Sequence, residues 1–134
     1  MVADAGIALS MDVYNGTYTD TVGREQRCPG NFLRRNFETT KTQRVVVEKA
    51  YTLGIPIMYG SDAGALPHDM GAWQFKIMVE RGMAPMDAIK AATSVPADHM
   101  GFQADFEALE AGRFGDLIAV RGHAYPVEFG TYYM

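Results

Sequence analysis

The sequence predicts an α/β fold, on three observations. Strand-like apolar runs alternate with amphipathic, helix-like stretches. The run "GIPIMYG", residues 54–60, follows a helical stretch directly. It is apolar throughout, as expected of a parallel strand covered on both faces. Gly54, Gly82 and Gly101 each stand where a helical stretch is expected to stop. A chain of 134 residues has room for one ordinary domain.

Residues 5–14, "AGIALSMDVY", read as the first strand, because Ile7, Leu9, Met11 and Val13 alternate with smaller or polar neighbours. "NGTYTDTVG" then reads as a loop, with Asn15-Gly16 as its turn signal. The arginine-rich stretch 24–38 is interrupted by Cys28-Pro29-Gly30, and a short helix is expected after Gly30. From Thr40 to Leu53 the pattern is strongly helical. Val45, Val46, Lys49, Ala50 and Leu53 form one stripe, and Gly54 is a C-terminal stop. A second strand follows at 55–59. Helices are expected from about Ala72 to Arg81, over "APMDAIKAAT" with Pro85 in its first turn, and over "VPADHMG" after Ser94. "GRFGDLIAV" ends the pattern with a strand from Asp116 to Val120.

Composition narrows the function classes. Apolar residues make up 48% and charged residues 21%, the balance of a globular protein. A net charge of −4 argues against nucleic acid and anionic membrane surfaces as partners. The longest uncharged stretch, Ala50 to Ser61, is too short and too polar to span a bilayer. No signal-peptide pattern opens the chain, and the lone Cys28 excludes an internal disulfide, so a cytoplasmic location is expected. The nine methionines are expected as adaptable core filling.

The chemistry-bearing residues cluster after the second strand, in "GSDAGALPHDMG". In α/β folds, active residues sit where strands end at their C-terminal edge. Asp62 lies at that edge, between Gly60 and Gly64. A carboxylate there serves as a metal ligand, a general base or a nucleophile, or it merely caps the following turn. The turn-capping alternative is as common as the functional one. His68 adds weight, because His and Asp near one strand end are ordinary companions in metal sites. Taken alone, though, His68 reads as an exposed loop residue after Pro67. Asp62, His68 and Asp69 could supply three ligands only if the loop folded back tightly. His99 reads as a helix-end residue, and His123 has no assigned role. There is no His-x-His, H-E-x-x-H or Cys-x-x-Cys. "GSDAG" has the outline of a nucleophile elbow, but that motif needs a helix to start at once, which Gly64 and Pro67 oppose.

The stretch "KAYTLGIPIMYGSDAGALPHDMGAWQFKIMVERGMAPMDAIKAATSVPADHMG", followed by "LEAGRFGDLIAV", resembles the C-terminal part of amidohydrolase-superfamily enzymes. The nearest branch is that of imidazolonepropionase-like and Xaa-Pro dipeptidase-like hydrolases. The match runs from about Lys49 to Val120, with several motifs in the family's order. It implies the last strands of a (β/α)8 barrel, 55–59 being the eighth and 6–13 the seventh. Residues 1–112 would then be a partial barrel, and 113–134 the start of a returning β-sandwich segment. It also implies a metal-dependent hydrolase acting on carbon–nitrogen bonds of a small amide or peptide, with a divalent metal, zinc first among the candidates. Asp62 takes the position of the family's eighth-strand aspartate. There it binds the metal or its water, takes the water's proton and passes it to the leaving amine. His68 faces substrate by the same analogy.

The family's other ligands, a His-x-His and further histidines on earlier strands, have no counterpart before Gly6. A whole enzyme of this type is about three times this length. The ending "GHAYPVEFGTYYM" also departs from the family. The chain is therefore expected to be a C-terminal fragment, inactive alone, with sheet edges open to self-association. Two other readings stand beside this one: a non-catalytic remnant that folds only with a partner chain, and a hydrolase using Asp62 as a covalent nucleophile.

Overall fold

The computed structural model describes residues 6–106 and 108–119. Strand β1 (Leu9–Met11) leads into helix α1 (Asn15–Glu25) and the long helix α2 (Gly30–Thr52). Strand β2 (Ile57–Tyr59) follows, then a single 3-10 turn over His68–Met70. Helices α3 (Trp73–Glu80), α4 (Pro85–Ala91) and α5 (Ser94–Met100) complete the regular structure. The two strands pair in parallel, with Leu9 opposite Ile57 and Met11 opposite Tyr59. Leu9 N–H donates to Pro56 O and Gly60 N–H to Met11 O, each at 2.9 Å. The α/β order and the parallel second strand are therefore as expected.

Burial explains why the pair holds. Met11, Val13, Val47, Ala50, Ile57, Met78, Met83, Ala88 and Ala91 form one cluster drawn from both strands and from α2, α3 and α4. A fully buried Val or Met side chain contributes about 1.5–3 kcal/mol of transfer free energy. Val13, Val47 and Met78 have no exposed surface. The strand alternation is mostly realised: Val13 and Met11 are buried and Leu9 half-buried, while Ile7 is 50% exposed. Three methionines serve the core, but Met86 and Met100 lie outward.

Four expectations need correction. Both strands are shorter than the apolar runs that contain them. Residues 15–23 are not a loop but most of helix α1. The threonines and Asn15-Gly16 make this a poor helix by local propensity. It forms because α2 holds it. Asn36 Nδ2 donates to Gly16 O at 2.8 Å, and the Arg44 guanidinium donates to Val13 O and to the Thr17 hydroxyl. Gly16 is a contact point rather than a turn: a Cβ there would lie 1.7 Å from Thr40 Oγ1.

The expected short helix after Gly30 and the helix from Thr40 are one continuous element, with Pro29 just before it. Its buried line is Thr40, Val47 and Ala50, whereas Val45, Val46 and Leu53 of the expected stripe are exposed. A continuous helix from Gly30 sets which side meets the strands, and Val47 rather than Val46 falls on it. Finally, residues 116–119 have no strand, and Val120 lies outside the described residues. A strand needs a paired neighbour, and Leu117 and Ile118 are 66% and 90% exposed. Residues 102–114 instead close on themselves: Phe114 stacks on Phe106 at 5.1 Å, and Arg113 donates to Gln103 O and Phe106 O.

Candidate active site at the tip of the second strand

The C-terminal ends of β1 and β2 lie side by side, and each delivers chain to the same region. From β1 the backbone passes through Val13 to Tyr14 and Asn15, where α1 begins. From β2 it passes through Gly60 and Ser61 to Asp62. A Cβ at Gly60 would stand 2.8 Å from Ser10 Oγ and 3.3 Å from Met11 O, so a glycine is what lets the strand ends approach.

Asp62 has φ +48°, in the left-handed region. That conformation costs an L-residue about 1–2 kcal/mol, with Asp among the residues that tolerate it best. The turn it occupies is closed without its side chain: Ala65 N–H donates to Asp62 O at 3.1 Å, and Ala63 N–H to Ser61 Oγ at 3.3 Å. The Asp62 carboxylate is exposed and reaches across to α1, where Oδ2 accepts from Asn15 Nδ2 at 2.6 Å. Asn15 is oriented in turn by Thr19, whose hydroxyl donates to Asn15 Oδ1 at 3.2 Å. The strained backbone therefore aims the carboxylate across the gap between the two strand tips.

Beneath this pair lies Gln74, 1% exposed, on the first turn of α3. Its Nε2 donates to Met11 O and, at 2.9 Å, to Gly60 O, while its Oε1 accepts from Tyr14 N–H at 2.8 Å. Nearby, Tyr14 and Trp73 stack at 6.3 Å, and Tyr59 OH donates to Gly71 O at 2.6 Å. Burial pushes both the Tyr59 and Tyr14 hydroxyls above the ordinary tyrosine range, with Tyr18 adding to the effect on Tyr14. Burial, reinforced by the Arg81 charge, lowers Arg44 from its ordinary value.

Among the described residues no hydrogen bond joins Asp62 to His68 or Asp69. Asp62 pairs instead with Asn15, which opens helix α1 and does not lie in the expected loop. His68 and Asp69 sit exposed on the 3-10 turn that follows Pro67. His99 is a helix-end residue as expected, with Nδ1 2.9 Å from Val95 O. His123 lies outside the described residues. Among the described residues no group of three or more His, Cys, Asp or Glu side chains is placed to hold a metal ion. Zinc sites need at least three protein ligands, so these residues alone do not fit one. No helix begins at Asp62, as a nucleophile elbow would require; α3 starts only at Trp73. A hollow of about 370 Å³ lies elsewhere, between Met11 and the Glu38–Val46 side of α2.

The Amidohydrolase family profile matches residues 2–131. The chain belongs to the amidohydrolase family. Its fold is similar to that of a Xaa-Pro dipeptidase solved with methionine bound in the active site. The TM-score is 0.71 at 24% identity, over 90% of this chain and 36% of that one. The chain thus spans about a third of the length of that solved structure. No curated protein matches it. Among the described residues no helix is long and apolar enough to cross a membrane.

Proposed function

We propose that Asp62 is the proton-transfer carboxylate of a metal-dependent hydrolase that cleaves a carbon–nitrogen bond in a small amide or peptide. The observation that carries this reading is the direction of the Asp62 side chain. It leaves its own turn to Ser61 and reaches over the joined strand tips. Family membership supplies the reaction class.

In this reading Asp62 takes a proton from the attacking water and returns it to the leaving amine. The Asn15 Nδ2–H on Oδ2 holds the carboxylate in place. Oδ1 has no hydrogen bond among the described residues, which leaves it to act as the base. His68, on its exposed turn, faces the substrate. A divalent ion, zinc first, would bring the pKa of bound water towards ~7, with its remaining ligands supplied from outside the described residues. The same reading makes β1 and β2 the last two strands of a (β/α)8 barrel within residues 1–112. It makes 113–134 the start of a composite sandwich segment, and it places the protein in the cytoplasm.

One observation favours a second reading, a subunit or remnant that folds with a partner chain. Among the described residues the sheet has only two strands, and Phe37, Leu53 and Leu117 are more than 60% exposed. The experiment is hydrolysis of dipeptides and N-acyl amino acids with Zn²⁺, Mn²⁺ or Fe²⁺. It is run on this chain alone and on the chain joined to any in-frame upstream segment that encodes a His-x-His. The proposal expects turnover only in the joined form. Metal-independent turnover by either form would overturn it.

A further inference from the structure

We propose that Gln74 is a positioning residue for Asp62, its buried amide fixing both ends of the Asn15–Asp62 hydrogen bond. This rests on the proposed role of Asp62.

The amide joins three separate pieces of chain. Met11 O is the last carbonyl of β1, Gly60 O lies two residues before Asp62, and Tyr14 N–H immediately precedes Asn15. One end of the Asn15–Asp62 pair is therefore tethered through Gly60 and the other through Tyr14. Only one orientation of the amide satisfies the network, because a flip would set its oxygen against two carbonyls.

Packing alone does not call for an amide here. Gln74 and Met78 are four residues apart on α3 and both are buried. An apolar side chain at 74 would fill the same stripe without the desolvation cost of an amide. It would also leave Gly60 O and Tyr14 N–H to find other partners, while Met11 O would keep the bond from Gly60 N–H. What the glutamine adds over a methionine is a defined spacing between the strand tips, and that spacing is what the 2.6 Å Asn15–Asp62 contact needs.

The test is side-chain amide hydrogen exchange by NMR on the full chain, which involves no turnover and so separates this proposal from the catalytic one. In the unsubstituted protein the Asn15 Nδ2 protons are expected to exchange about tenfold more slowly than those of a free asparagine. In Gln74→Met that protection is expected to vanish, while the Val47 and Ala88 backbone amides remain protected. Unchanged Asn15 protection in a folded Gln74→Met protein would overturn the proposal. Should that variant fail to fold, the same protons are followed in the unsubstituted protein with increasing urea. Asn15 is then expected to lose protection only together with the Gln74 side chain. Asn15 exchanging at the free rate while Gln74 stays locked would refute the link.

Discussion

Replacing Gly16 by alanine tests whether the segment after β1 is a helix packed on α2 or a loop. The new Cβ would stand 1.7 Å from Thr40 Oγ1, 2.8 Å from its Cβ and 2.9 Å from its Cγ2. Real Cβ atoms do not approach that closely, so α1 and α2 must part, or Thr40 must move. Thr40 is only 8% exposed in the middle of α2 and has little room. Alanine gains about 1 kcal/mol over glycine as a helix residue. Overpacking of a tight contact costs about 1–3 kcal/mol, and a 1.7 Å overlap belongs at the upper end. The net expectation is a loss of about 1–2 kcal/mol. Urea unfolding followed by circular dichroism at 222 nm measures it. Thr40→Ala removes the nearest atom of the clash, so the double variant should recover part of the loss, a coupling between touching residues. In a flexible loop the same change would be neutral or stabilising by about 0.4–1 kcal/mol. A Gly16→Ala protein as stable as the unsubstituted one would refute the α1–α2 packing.

Two further outcomes follow from the same structure. Tyr14, Tyr51 and Tyr59 are all raised above 10.0, Tyr51 through its 2.7 Å hydrogen bond to Asp87 and the other two chiefly by burial. A group whose pKa is higher when folded contributes stability below its unfolded pKa and loses it as pH rises through the folded value. The urea midpoint should therefore hold up to about pH 10 and fall above it, with late phenolate absorbance at 295 nm; a midpoint flat to pH 12 would contradict this. Sedimentation velocity at low micromolar concentration should show self-association, because among the described residues the sheet has only two strands and an unpaired apolar edge invites pairing. A sharply melting monomer at every concentration would favour a self-sufficient domain.

The parallel pair and helices α3 to α5 were legible because their signals are local. Gly54 and Gly60 bracket the run that holds β2, and Pro85 and Gly101 mark the start of α4 and the end of α5. Helix α1 was not legible, because it is held by contacts from α2 that no local pattern records: Asn36 on Gly16, Arg44 on Thr17 and Thr40 against Gly16. For the same reason Asn15-Gly16 carries only a turn signal in the sequence, and nothing local records the bond from Asn15 to Asp62. Position 62 itself was legible from the strand-tip pattern. Gln74 had a readable signal, a glutamine on the inward stripe of "AWQFKIMV" in line with Met78. Such a residue demands buried partners. Which backbone groups it meets is decided only when β1 and β2 come together. The 116–119 segment carries a strand-like pattern, but pattern alone supplies no neighbour to pair with.

The central claim is that the Asp62 carboxylate moves the proton during amide hydrolysis. The most direct test is kcat for a dipeptide or N-acyl amino acid in whichever form turns over in the Zn²⁺, Mn²⁺ or Fe²⁺ assay proposed above, with and without Asp62→Asn. The substitution keeps the shape and removes the base, and loss of a positioned general base lowers kcat by about 10²–10⁴-fold. A fall of that size with KM little changed is the predicted result. An Asp62→Asn enzyme that turns over at the unsubstituted rate would contradict the account.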